Sequence, residues 1–300
     1  MSLAWLTWTN PVAIWWSFLV AVSAGNILLW FQLRSLLRGS ATAPGAGVPA
    51  IEPLALLSGA YVFGCAFRSL LPRADIQRIC LFDTWLSSVL VGRSVATVAE
   101  LCFAMQWAIV LHALGKITHS DTVKNISRLI VPLIVVAECC SWYAVISTDF
   151  LGNVLENSLW TITFVLIAIA CVRLLVSFRG LAQLAVAAAA AGVACYVIFM
   201  STVDVPMYVA RWQAQLTDGV PLLGLLAGLH DLATRWNVTH DIALWREEIP
   251  WMSLYFSTAV WGSLLLGGFS LVKNQLPRYR VRRPLRKPVR RPLAVPVRTS

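Results

Sequence analysis

Seven blocks of largely uncharged residues constrain this chain of 300 residues more than any other feature. They lie near 11–33, 51–71, 93–115, 129–149, 157–178, 181–203 and 250–272. About 20 apolar residues in a helix cross the hydrocarbon of a bilayer, and a helix satisfies its own backbone there without water. The expected fold class is an all-α integral membrane protein with about seven transmembrane helices. Composition decides against a water-soluble reading: 13% of the residues are charged, against about 25% in soluble domains. No Lys or Arg precedes Trp15, so the first block lacks the basic n-region of a cleaved signal and reads as a true span. The localisation expected is a cell membrane or an inner membrane.

Charge divides the chain in two. Residues 1–272 form the polytopic part and carry 14 basic and 14 acidic side chains, while residues 273–300 carry ten basic ones and no acidic one. The net charge of +10 therefore belongs to the tail, which excludes DNA binding by the chain as a whole. Loops rich in Lys and Arg stay cytoplasmic. Placing the C-terminus inside gathers Arg34, Arg38, Lys116, Lys124, Arg128, Arg173, Arg179 and the tail on that side. The orientation expected is N-terminus out, C-terminus in; Arg68, Arg73 and Arg78 dissent. In the tail, Pro284, Pro288, Pro292 and Pro296 recur every four residues, the first three each directly after a basic pair. That spacing excludes a helix and predicts an extended, disordered segment. Such a tail either anchors topology or docks anionic lipid or an acidic protein.

Two stretches are less regular. A single helix over 75–115 would be about 60 Å long, so a break near Gly92 is expected. Residues 75–91 then form an amphipathic segment at the interface, with Arg73 and Arg78 reaching toward headgroups. A re-entrant hairpin is the alternative. Residues 204–249 form the one long connection, in which Leu222, Leu225, Leu229, Leu232 and Trp236 predict an amphipathic helix over 221–236, resting on the bilayer or capping the bundle. Trp5, Trp8, Trp15, Trp16, Trp245 and Trp251 cluster near span ends, where indoles favour the interface. The alanine run 185–191 reads as a tightly packed helix.

Ionisable groups at membrane depth mark a site, a pathway or an internal ion pair. Arg93 and Glu100 are two helical turns apart on nearly one face, with Thr97 between them, and Glu138 stands mid-span in the fourth block. Arg93, Glu100 and Glu138 are expected to converge, with hydrogen bonds from Gln106, Tyr143 and His112. Two readings stay open: a site for a small ligand or ion, or charges that simply join helices. The seven cysteines lie in or beside apolar segments and read as buried hydrophobes. His230, Asp231, His240, Asp241, Glu247 and Glu248 do not fit a metal-binding helix face.

Catalytic signatures are missing: there is no GxSxG, Walker loop or dinucleotide fingerprint, and the cofactor is left unknown. The layout resembles receptor-type and retinal proteins in topology alone. The last span has no interior lysine for a Schiff base; Lys273 stands at its end. Three function classes follow, in this order: a protein that binds or transports a small ligand or ion at the Arg/Glu cluster; a membrane-embedded enzyme acting on a lipid or apolar substrate; and an assembly subunit that docks partners through its helices and tail.

Overall fold

The computed structural model describes residues 5–41 and 53–281; the proline-repeat tail at 282–300 lies outside the described residues. In chain order, α1 (Pro11–Ala41) and α2 (Pro53–Leu70) lead to β1 (Arg73–Ala74), β2 (Ile79–Cys80) and a 3-10 turn (Trp85–Ser87). Next come α3 (Val89–Thr118), α4 (Asp121–Ser147), α5 (Phe150–Leu175) and α6 (Leu181–Phe199). A π-helical segment (Met200–Asp204) carries α6 straight into α7 (Val205–Thr217). Then follow α8 (Leu225–Thr234), β3 (Asn237–Val238), α9 (Ile242–Trp245) and α10 (Glu248–Leu254); a second π-helical segment (Tyr255–Ala259) joins α10 to α11 (Val260–Gly267), and α12 (Phe269–Lys273) follows.

Among the described residues, seven helices are long and apolar enough to cross a membrane: Pro11–Gly39, α2, α3, α4, α5, the continuous Leu181–Thr217 and the continuous Glu248–Gly267. This is the architecture of a polytopic membrane protein. The sixth helix outruns the block at 181–203, because Pro206 falls in the first turn of α7, where a missing N–H costs little. Its alanine run is exposed rather than tightly packed, since α6 lies at the edge of the bundle along α5.

The helices α3, α4 and α5 are joined by the same device twice. At each junction two residues intervene, the first left-handed (His119, φ 54°; Thr148, φ 61°) and the second an N-cap (Ser120, Asp149). The cap side chain accepts from the next helix: Ser120 Oγ from Val123 N at 3.4 Å, and Asp149 Oδ1 from Leu151 N at 2.9 Å. Gln215 of α7 clamps the second turn, donating to the Thr148 carbonyl at 2.7 Å and accepting from Phe150 N at 3.1 Å. Close approach needs small residues. A Cβ on Gly152 would lie 2.6 Å from both Ala144 Cβ and the Cys140 carbonyl oxygen, so α4 and α5 touch backbone to backbone there.

Residues 75–91 correct the expected amphipathic segment. The chain instead makes a β-hairpin, Arg73 opposite Cys80 and Ala74 opposite Ile79, with β3 adding parallel beside β2. Helix α3 begins afresh at Val89, and Ser88 caps it. Arg73 and Arg78 are buried rather than directed to headgroups, because main-chain carbonyls accept their hydrogen bonds and Asp75 and Asp231 pair with them. Arg73 donates to Val89 O at 2.8 Å and to Ser88 O; Arg78 donates to Val145 O at 2.7 Å and to Asp75 O at 2.5 Å. Gly92 is needed for this, since a Cβ there would sit 2.4 Å from the Arg73 guanidinium carbon. Helix α8 lies over the ends of α3 and α4 with Gly228 against the Ile146 carbonyl, so it caps the bundle. The interface tryptophans are partly absorbed into this cap: Trp5 stacks on His240 at 4.3 Å and Trp15 meets Trp245 at 5.5 Å.

Candidate functional site

Arg93 lies in the second turn of α3, and its guanidinium turns into the bundle. One nitrogen, Nη2, meets three carboxylates: Glu138 Oε2 at 2.8 Å, Glu100 Oε2 at 3.1 Å and Glu156 Oε1 at 3.2 Å. Each carboxylate offers an oxygen within 4.8 Å of the other two. All four side chains are more than nine-tenths buried. The α3 spacing puts Arg93, Thr97 and Glu100 on one face; α4 brings Glu138 and α5 brings Glu156 from the far side of the Thr148–Asp149 turn. The contact at Gly152, one turn before Glu156, sets the distance between the last two.

A second ring of groups orients the carboxylates. Thr97 Oγ1 donates to Glu138 Oε2 at 2.6 Å and itself accepts from Trp142 Nε1 at 3.1 Å. Tyr255, first residue of the second π-helical segment, donates its hydroxyl to Glu100 Oε1 at 2.9 Å. Asn153 Nδ2 donates to Glu156 Oε2 at 3.2 Å. Satisfaction is incomplete. Among the described residues, Glu138 Oε1 and Arg93 Nε are buried with no hydrogen-bond partner. Unmatched buried polar atoms are uncommon and usually mark a functional group or a missing partner.

Of the residues expected from the sequence, Arg93, Glu100 and Glu138 come together. The other expected ones do not join them. Gln106 donates instead to the Leu54 carbonyl at 3.2 Å, Tyr143 is half exposed and donates to Asp149 Oδ2 at 2.8 Å, and His112 pairs with Ser127 at 3.3 Å. Glu156 and Tyr255 complete the cluster beyond what the sequence predicts. Glu156 fell just before the block drawn at 157–178, although Asn153, Glu156 and Asn157 form one polar stripe at helical spacing. Nothing near Tyr255 in the sequence announces a partner 155 residues away.

Chemically, the cluster sets one guanidinium against three carboxylates in a water-poor interior. Ionised throughout, it would hold two uncompensated negative charges, which such a medium does not tolerate. No family model, no curated protein and no solved structure matches this chain.

Proposed function

We propose that this chain is an integral membrane protein that takes up and releases protons at Glu100, Glu138 and Glu156, and that this charge change accompanies the passage of a small solute or ion. The observation that carries the reading is the three-to-one excess of buried carboxylates over guanidinium. A cation must make up the difference. Arg93 Nη2 already lies among the carboxylate oxygens, where a metal ion would have to sit, so protons are the compensating species. The closeness of Glu100 to Glu138 supports the same reading, because a proton on Glu100 turns one of two adjacent carboxylates into a donor toward the other.

On this reading the route to the surface lies on the capped side. Asp204, buried in the first π-helical segment, packs beside α5 and lies within electrostatic reach of both Glu156 and Glu248. Glu248 accepts from Gln77 at 3.3 Å and neighbours Arg211 at 3.6 Å; Glu247, bound to the same arginine, is exposed. With the C-terminus inside, this mouth opens outward. π-Helical bulges recur at functional positions, and here one carries Asp204 and the other Tyr255.

The test is proton flux into liposomes containing the purified protein, read with an enclosed pH-sensitive dye. Glu138→Gln and Glu156→Gln should each abolish flux while detergent melting stays within a few degrees of the parent. Flux unchanged in both variants would leave the cluster as a network that joins helices and nothing more.

A further inference from the structure

At the opposite end of the bundle from the cap, a groove of about 470 Å³ runs between α3 and α4, within the usual size range of small-molecule sites. Its wall is a stripe of α3 built from Ala108, Ile109, Ala113 and Ile117. Its rim is cationic, with Lys116 from α3, Arg128 from α4 and Lys273 from α12. Three separate helices thus bring one positive charge each to one mouth. No carboxylate lines the groove, and among the described residues none of these three cations forms an ion pair. Arg128 has a 3.4 Å bond to Asn125 Oδ1, and Asp121, within electrostatic reach of Arg128, is paired with Lys124 at 2.6 Å. On the floor, His112 and Ser127 add hydrogen-bonding groups to the apolar surface.

We propose that this groove binds one anionic phospholipid, its phosphate held by Lys116, Arg128 and Lys273 and an acyl chain laid along the α3 stripe. Charge complementarity selects an anion, because three unpaired cations surround one opening. The apolar wall selects a lipid over free phosphate, which would gain nothing from Ala113 or Ile117. The site is independent of the carboxylate cluster and of whether that cluster moves protons.

The experiment is native mass spectrometry of the full chain released from nanodiscs of mixed phosphatidylcholine and phosphatidylglycerol. The parent protein should retain one phosphatidylglycerol per chain at high salt, where diffuse attraction to the basic tail is screened. The variant Lys116→Gln/Arg128→Gln/Lys273→Gln changes exposed residues and should bind that lipid about a hundred-fold more weakly, taking each cation at its usual worth near a membrane surface. Ala113→Trp fills the groove without touching a charge and should also expel the lipid. Retention by the triple variant would overturn the site. So would loss in the triple variant with full retention in Ala113→Trp, which means headgroup attraction without a groove. Displacement of the lipid by glycerophosphate at equal concentration would overturn the acyl-chain contact.

Discussion

Two ion-pair clusters stand a short distance apart in this molecule, and they are built on opposite principles. In the cap, buried Arg73 and Arg78, with Arg68 and the exposed Arg235 beside them, form their ion pairs with Asp75 and Asp231 among the described residues. The surplus there is positive, and main-chain carbonyls absorb it: Ser87, Ser88 and Val89 around Arg73, and Asp75 and Val145 around Arg78. In the bundle, Arg93 faces Glu100, Glu138 and Glu156, so the surplus is negative. Backbone carbonyls are acceptors and cannot relieve it, and inside a helix the N–H donors are already used. A guanidinium surplus can therefore be structural at a helix end, whereas a carboxylate surplus inside helices finds no free backbone donor to relieve it.

The contrast can be broken from either side. Arg93→Met removes the one cation from three buried carboxylates and should give the largest loss, about 3–5 kcal/mol of stability, measured by unfolding in mixed micelles. Arg93→Lys should recover only part, since an ammonium lacks the planar fork of the guanidinium. Next in size, Gly152→Val forces a branched side chain against Cys140 and Ala144, for about 1–3 kcal/mol. It should also reduce proton flux by spreading α4 from α5, which ties the helix contact to the site.

The cap should respond to acid in a range the bundle does not share. Burial raises the Asp75 carboxyl, but Arg73, Arg68 and Arg93 outweigh it and bring it from 3.8 down to about 2. A depressed carboxyl contributes stability that is fully present above its unfolded value near 4 and lost as pH falls through about 2. The hairpin should thus hold at pH 5 and loosen between pH 4 and 2, followed by fluorescence of Trp236, whose indole N–H donates to Asp83 at 3.0 Å. Asp75→Asn should remove this acid transition and cost roughly 2 kcal/mol at neutral pH. The smallest effect is expected from Asp231→Asn, because Arg78 keeps its carbonyl partners; a shift of a few degrees in melting would agree, and collapse of the cap would not.

Much of the bundle is legible in the sequence because the bilayer imposes one crude rule, length without charge. That rule also hid Glu156. A block drawn to exclude charge begins one residue after it, although the helix itself starts at Phe150 behind the Asp149 cap. Arg93 and Glu100 are readable because one helix carries both at a fixed spacing. Tyr255 is not, since its partner lies on another helix. The hairpin failed for a different reason: each strand is two residues long, too short for any alternation, and the carbonyls that bury Arg73 and Arg78 leave no trace in side-chain identity. Gln77, Thr84 and Ser88, whose spacing matches one face of a helix, lie instead in a hairpin turn and two caps.

The two-residue turns at His119–Ser120 and Thr148–Asp149 carry a consequence for biogenesis. A linker that short gives no slack, so α3, α4 and α5 cannot be delivered to the bilayer as three independent insertions. Each reversal of direction has to occur with both neighbouring helices side by side. Insertion in that order would bring Glu138 and Glu156 in side by side, with Arg93 already present on the helix translated earlier. For a segment such as α4, whose middle carries an acid, the partner helix acts as an insertion chaperone built into the same chain.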